Sequence, residues 1–366
     1  MLKRVLITAG GTGGHIYPAI AIAEEFQKRG AEVLYVGNIN SLEEKVVKLR
    51  GFNFRGIDVQ KLYREFTIKH LAFPFKLLKS IMMANSIIKE FKPDLCIGCG
   101  GFVSGPVIIR AAQLKIPYYL LEQNSFPGLT TRKLSKGAKR VFLGYESAQK
   151  YLPNSKWEYT GNPLLLDIDK VKDRSLATKD SNQPLLLFIL GGSQGASFIN
   201  NIVLKNINLL LDKGLKIVWQ TGNYQFTEIE ERLKAIPKIN ASVEIFPYTH
   251  NITSIYQSAD LAICRAGALT LAELEAYKIP AIIIPLPSSA GDHQYHNALH
   301  QQEQLKGLLL EQNENTEQKL LESLDLLLRD YDNFQKHLTH SVHAKATETI
   351  VDRIYENQAK DSKRDL

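Results

Sequence analysis

One local pattern recurs through this 366-residue chain and limits what it can fold into: a short strand, a glycine-rich loop, then a helix. Val5-Leu-Ile-Thr-Ala-Gly-Gly-Thr-Gly-Gly leads into helical periodicity over 16–29, and Leu187-Phe-Ile-Leu-Gly-Gly-Ser-Gln-Gly leads into another over about 196–213. A second pair matches in the same way, Asp94-Leu-Cys-Ile-Gly-Cys-Gly-Gly and Asp260-Leu-Ala-Ile-Cys-Arg-Ala-Gly. Short apolar runs alternating with amphipathic runs predict parallel strands joined by crossover helices. The first half gives strands at 5–8, 32–36, 95–98 and 118–121, with helices at 16–29, 41–49 and 107–114. The second gives strands at 185–190, 217–220, 261–264 and 281–284, with helices at about 196–213, 228–234 and 269–277. Helices at 317–328 and 331–355 follow, and 358–366 is polar enough to fray.

The repeat therefore predicts an α/β chain of two Rossmann-like, doubly wound parallel-sheet domains facing a cleft. Their bounds are 1–163 and 164–340, with a closing helix in 341–366 packing back on the first. The polar stretch 167–184 reads as the linker, or as a surface loop. Length agrees, at roughly 100–200 residues per domain. With 44% hydrophobic and 23% charged residues the composition excludes disorder and coiled coil, and three cysteines exclude a disulfide scaffold. Cys96 and Cys99 form a lone C-x-x-C without the second pair that zinc needs, and read as buried thiols. The start, Met1 to Ile7, is too short for a signal peptide. No window approaches about 18 uninterrupted apolar residues. The nearest, 71–91, is broken by Pro74, Lys76, Lys79, Asn85 and Lys89. A reducing cytoplasm fits best.

The loops carry the chemistry. Positions 10–14 hold four glycines in five, more than a tight turn needs. Glycine lets a backbone approach a ligand, and a helix N-terminus offers N–H groups and positive potential to a diphosphate. A dinucleotide fingerprint fails, because Ile16 stands where the third glycine belongs and the next strand ends Val36-Gly37-Asn38 without an acid. A P-loop fails for want of Gly-Lys-Ser/Thr. Gly191-Gly-Ser-Gln-Gly-Ala repeats the anion-binding logic. In Arg265-Ala-Gly-Ala-Leu-Thr-Leu-Ala-Glu, Glu273 suits either two ribose hydroxyls or a capping box with Thr270 as N-cap. Asp292-His-Gln-Tyr-His-Asn offers polar groups to a sugar; His296 and His300 have ligand spacing, but no third metal ligand is in register.

In this order the motifs resemble one family closely. Thr8-Ala-Gly-Gly-Thr-Gly-Gly-His, Gly98-Cys-Gly-Gly-Phe-Val-Ser-Gly-Pro, Glu122-Gln-Asn, Thr160-Gly-Asn-Pro, Gly191-Gly-Ser-Gln-Gly-Ala, Arg265-Ala-Gly-Ala-Leu-Thr and Asp292-His-Gln are similar to the MurG family. These are peptidoglycan N-acetylglucosaminyltransferases of glycosyltransferase family 28 and the GT-B fold. The resemblance spans roughly 3–345. It implies transfer of N-acetylglucosamine from UDP-GlcNAc to the muramoyl 4-hydroxyl of lipid I, giving lipid II with inversion, for cell-wall synthesis.

Carried over residue by residue, Ser193, Ala268, Leu269, Thr270, Leu271, Ala272, Glu273 and Gln294 match donor positions. Thr249 matches the segment whose backbone meets the uracil. Thr12, Gly13, Gly14 and Asn124 also match donor contacts. The resemblance assigns Glu273 to the ribose and Gln294 to the sugar, and calls for no cofactor or metal. His15, with an unperturbed pKa near neutral, is a candidate general base or a hydrogen-bonding partner of phosphate or acceptor. Two departures stand out: Leu165 replaces a usual arginine, and Thr249 a usual isoleucine.

A lipid acceptor implies docking on the cytoplasmic face of the inner membrane, and cell-wall synthesis proteins as partners. Residues 61–83 mix apolar and basic groups, in which Phe73, Phe75, Leu78 and Met82 suit shallow insertion and Lys69, Lys76 and Lys79 suit anionic head groups. The other reading is an ordinary amphipathic helix with its apolar face in the core. The net charge of +7 permits such a surface, and nothing resembles a nucleic-acid motif. Three readings compete with the transferase: a UDP-GlcNAc 2-epimerase, a glycolipid galactosyltransferase and a non-catalytic nucleotide-sugar sensor. Intact His15, Glu273 and Gln294 speak against the sensor.

Overall fold

A computed structural model describes residues 2–60, 73–165, 184–192, 195–236, 239, 242–249, 251–338 and 340–364. Contacts divide the chain into two units, Met1–Leu165 with Val342–Leu366, and Leu166–Ser341.

The first unit runs β1 (Arg4–Thr8), α1 (Gly13–Lys28), β2 (Glu32–Asn38), α2 (Leu42–Leu49), β3 (Asn53–Ile57), α3 (Phe73–Phe91), β4 (Leu95–Gly98), α4 (Ser104–Gln113), β5 (Tyr118–Glu122), α5 (Leu129–Leu134), β6 (Arg140–Leu143) and β7 (Trp157–Tyr159). Among the described residues its sheet is parallel throughout, in the order β3-β2-β1-β4-β5-β6-β7. The second unit runs β8 (Leu186–Leu190), α6 (Ser197–Asp212), β9 (Lys216–Gln220), α7 (Phe226–Lys234), β10 (Val243–Phe246), α8 (Ile252–Ser258), β11 (Leu261–Cys264), α9 (Ala268–Ala276), β12 (Ala281–Ile283), α10 (His293–Glu303), β13 (Gly307–Leu309), α11 (Thr316–Arg329) and α12 (Tyr331–His337). Its sheet, again parallel, has the order β10-β9-β8-β11-β12-β13.

Both sheets reverse direction beside their first strand, between β1 and β4 and between β8 and β11. Ligands of open α/β sheets bind at the carboxyl ends of the strands flanking such a switch point. The glycine loops lie there in both units. Strand alternation builds a core on each face of each sheet. In the first unit Val5 and Ile7 face α1, while Leu6 faces the side covered by α4. In the second, Ile189, Ile217 and Trp219 face α6 and α11, while Phe188 and Leu190 face α8 and α9.

The sequence predicts one helix over 331–355, and the structure breaks it. A 3-10 turn over Val342–Lys345 separates α12 from α13 (Ala346–Arg364). Buried His343 accepts the Asn162 backbone N–H on Nδ1 at 2.8 Å, a tertiary demand with no local sequence signal. Ile350, Val351 and Ile354 of α13 then complete the core beside α1. The helix continues through 358–364, where the sequence predicts fraying, and Lys139 Nζ donates to Asp361 at 2.6 Å. The proposed linker lies almost wholly outside the described residues.

Candidate active site

In the first unit, glycines let two loops close on each other. A Cβ on Gly101 (φ +78°) would collide with the Gly10 carbonyl, and one on Gly100 (φ +94°) with the His15 ring. The β4–α4 loop thus seats His15 in the first turn of α1. Thr12 is the N-cap; its carbonyl accepts from His15 N–H at 3.0 Å, and its Oγ1 lies 3.2 Å from His15 Nδ1. Gln123, just past β5, donates from Nε2 to the Cys99 carbonyl at 2.9 Å and sits beside the same Gly100 position. Asn124 donates from N and Nδ2 to Glu122, at 3.1 and 3.3 Å. Burial pushes the Glu122 carboxyl up, against hydrogen bonds from Thr131, Asn124 and Gly128. Thr12, Gly13, Gly14 and His15 therefore share one end of the sheet with Asn124.

Sequence reasoning missed Glu43. It reads locally as one of two ordinary acids opening α2 after the Ser41 cap, and only tertiary structure turns it inward. It is buried where Gly10 and Gly37 lack side chains; its Oε1 accepts the Asn38 N–H at 3.1 Å and its Oε2 the Gly11 N–H at 3.4 Å. An acid does stand at the end of β2, supplied by the next helix. A carboxylate on Gly11 makes this loop a poorer diphosphate site than its composition suggests.

The second unit carries the other glycine loop. Gly192 (φ +83°) and Gly195 (φ +81°) adopt left-handed conformations, and a Cβ on Gly195 would strike the Thr221 carbonyl. Gln220 Nε2 donates to the Gly192 carbonyl at 3.2 Å. Neither α6 nor α9 has a side-chain cap or an acid in its first turn. A helix N-terminus without an acid or a side-chain cap suits an anion. Arg265 brings a guanidinium to the β11–α9 loop, donating from Nη1 to the Ile284 and Pro285 carbonyls at 3.1 Å. Ser193 lies outside the described residues.

The capping-box reading of Glu273 falls here. The N-cap of α9 is Gly267, so Thr270 lies in the first turn and Glu273 in the second. Glu273 instead accepts from the buried Tyr256 hydroxyl at 2.8 Å. Burial pushes its carboxyl up to about 7, only partly offset by that bond. Such a carboxyl is ready for hydroxyl donors. The side chains of Ala268, Leu271 and Ala272 are buried, so these residues can meet a ligand only through backbone, while Leu269 and Thr270 are half-buried. Gln294, at the start of α10, accepts the Leu286 N–H on Oε1 at 2.9 Å, which leaves Nε2 to donate to a ligand. Asn297 Nδ2 donates to the Ala266 carbonyl at 3.1 Å and ties α10 to the β11–α9 loop. Thr249 Oγ1 accepts the Asn251 N–H at 3.0 Å.

The three cysteines are buried thiols, with Cys96 and Cys264 each pushed up to about 12 by burial. Leu165, in the position of the family arginine, packs half-buried against the first unit's core.

Residues 5–143 match the glycosyltransferase family 28 N-terminal domain, and residues 186–354 its C-terminal domain. The chain belongs to glycosyltransferase family 28. Among curated relatives, the UDP-N-acetylglucosamine–N-acetylmuramyl-(pentapeptide) pyrophosphoryl-undecaprenol N-acetylglucosamine transferase of Lactococcus lactis subsp. lactis (strain IL1403) is 36% identical over 343 residues, covering 93% of this chain and 95% of the relative. The enzyme of the same name from Francisella tularensis subsp. tularensis (strain WY96-3418) is 40% identical over 335 residues, 90% of each chain. The crystal structure of Acinetobacter baumannii MurG superposes with a TM-score of 0.80 at 29% identity, covering 97% of this chain and 99% of that one. The two parallel-sheet units are thus those of a GT-B glycosyltransferase.

On α3 the core face is Ser80, Ala84 and Ile88. Residues two apart on a helix point about 200° apart, and Phe75, Leu78 and Met82 are 77%, 58% and 65% exposed on the far side. Lys76 and Lys79 are exposed with them, Lys79 lying 3.8 Å from Asp58; Phe73 is half-buried. The apolar residues of α3 are therefore divided between two faces, and only one serves the core. Lys69 lies outside the described residues. Among the described residues no helix is long and apolar enough to cross a membrane.

Proposed function

We propose that this chain transfers N-acetylglucosamine from UDP-GlcNAc to the muramoyl 4-hydroxyl of undecaprenyl-diphospho-MurNAc-pentapeptide, with inversion, giving lipid II. The observation that carries this is 36–40% identity to transferases of that name over at least nine-tenths of both lengths. The second unit holds the donor. The N-termini of α6 and α9 bind the diphosphate, Glu273 accepts the ribose hydroxyls, and Gln294 donates to the sugar. The Thr249 backbone meets the uracil, and Ala268 to Ala272 line the site through backbone.

In the reaction the acceptor hydroxyl oxygen forms a bond to the anomeric carbon from the face opposite UDP. The bond from that carbon to the diphosphate oxygen breaks, and its electron pair leaves with UDP. Helix N-terminal N–H groups are already aimed at the charge that develops there. The hydroxyl proton passes to His15, held in the first unit by Gly100 and Thr12. Thr12, Gly13, Gly14 and Asn124 line the same end of that sheet.

UDP release from UDP-GlcNAc, measured with and without a lipid I analogue, tests the reading. Release that depends on acceptor and yields a disaccharide-lipid is expected. UDP-ManNAc formed without acceptor would replace the transferase by an epimerase.

We place the enzyme peripherally on the cytoplasmic face of the inner membrane, docked through Phe75, Leu78 and Met82 with Lys76 and Lys79 toward anionic head groups. The exposed stripe on α3 supports this, since burying several large apolar side chains contributes roughly 1.5–3 kcal/mol each when complete. Changing Phe75, Leu78 and Met82 together to serine is expected to lower partition onto anionic vesicles at least about tenfold. Turnover of a water-soluble acceptor analogue should stay at the wild-type rate. Unchanged vesicle binding in sedimentation would remove α3 from the docking surface.

A further inference from the structure

Gln220 ends β9, next to the glycine loop of the second unit, and is only 3% exposed. Its Nε2 is committed to the Gly192 carbonyl, and among the described residues its buried Oε1 has no hydrogen-bond partner. Native proteins rarely leave a buried acceptor unpaired, because the lost hydration is not recovered. The direction of this side chain follows from strand alternation. Val218 packs on the sheet face that carries Phe188, Leu190 and Tyr256, so Gln220, two residues on, points to that face. The Tyr256–Glu273 pair stands on the same face. The unpaired acceptor is thus beside the diphosphate loop, on the side of the ribose carboxyl.

We infer that Gln220 is a donor-contact residue whose Oε1 accepts a hydrogen bond from an O–H or N–H of the bound UDP-GlcNAc. This rests on the functional reading above. The diphosphate carries no such donor at neutral pH, so the partner is on the uridine or on the sugar. The two ends of one amide divide the work. Nε2 keeps Gly192 turned so that the loop amides stay available, and Oε1 reads the nucleotide sugar. An acceptor left unpaired in the free protein is satisfied only when that ligand arrives, which favours it over a bare anion.

Calorimetric titration of UDP-GlcNAc, UDP and inorganic pyrophosphate against wild type, Gln220→Leu and Gln220→Met tests this. Either variant is expected to bind UDP-GlcNAc about tenfold more weakly, as for one lost hydrogen bond. Pyrophosphate, which has neither uridine nor sugar, should lose less than UDP-GlcNAc, only what the loop loses with the Nε2–Gly192 bond. The free variants lose the Nε2–Gly192 bond together with the unpaired buried Oε1, two changes of opposite sign, so their melting temperature should stay close to that of wild type. An equal loss for UDP places the partner on the uridine; a loss for UDP-GlcNAc alone places it on the sugar. Unchanged UDP-GlcNAc affinity in either folded variant overturns the inference. So does an equal loss for pyrophosphate, which would make Gln220 a brace of the loop only. Failure of wild type to bind UDP-GlcNAc would instead overturn the functional reading.

Discussion

Glu273→Gln is expected to lower kcat/KM for UDP-GlcNAc by roughly 10²–10⁴, most of it in KM. Hydrogen bonds to a charged group are worth about 1.5–3 kcal/mol each, and a ribose offers two. The pH dependence is the sharper readout. Burial holds the carboxyl at about 7 in the free protein, against an ordinary 4.5, so near neutrality the group is about half protonated. On the proposed reading ribose hydroxyls donate to the ionised form, so donor binding should expel the proton. Affinity should therefore rise with pH up to about 7, approaching tenfold per unit below it, and then level. The glutamine variant should show a flat profile over the same range.

Stability moves the other way. A carboxyl whose pKa is raised on folding binds its proton more tightly in the native state, so the protein is favoured below pH 4.5 and loses that advantage as pH climbs through about 7. The ionised group then costs roughly 3 kcal/mol. The free glutamine variant should melt higher than wild type at pH 8, with the gap closing by pH 5. A gap that stays constant with pH would show that the Glu273 carboxyl is ionised throughout.

His15→Ala is expected to reduce kcat by about 10²–10⁴, the usual worth of a positioned base, with KM for UDP-GlcNAc little changed. A near-normal kcat would remove His15 as the base and leave it the role of hydrogen-bonding phosphate or acceptor. A loss confined to KM would say the same.

The fold was largely legible because parallel strands buried on both faces are written as apolar runs, and β1, β4, β5, β8 and β11 are such runs. Most of the strands that escaped lie at the edges. β3, Asn-Phe-Arg-Gly-Ile, and β13, Gly-Leu-Leu, pair on one side only and need little propensity of their own. The edge strands β7 and β10 were missed likewise, and β6, which pairs on both sides, was missed for its length of four residues. The glycine loops announced themselves, since Gly100, Gly101, Gly192 and Gly195 adopt conformations that other residues rarely tolerate. Glu273 could be singled out from the motif, but its neighbourhood could not. Thr-x-x-Glu imitates a cap, and only the position of Gly267 shows that the helix begins three residues earlier. Glu43 and Gln220 were invisible, because their importance comes from what the fold lays beside them.

The return of α13 to the first unit bears on how the chain is made. Ile350, Val351 and Ile354 belong to the same core as Val5 and Ile7, so the amino-terminal half cannot finish folding as it leaves the ribosome. It must wait, with that core open, until the whole second unit has been synthesised. The later half, by contrast, has everything it needs once residue 341 is out. Order of synthesis and order of completion are reversed in this protein, and a chaperone would find its longest-lived exposed surface on the part translated first.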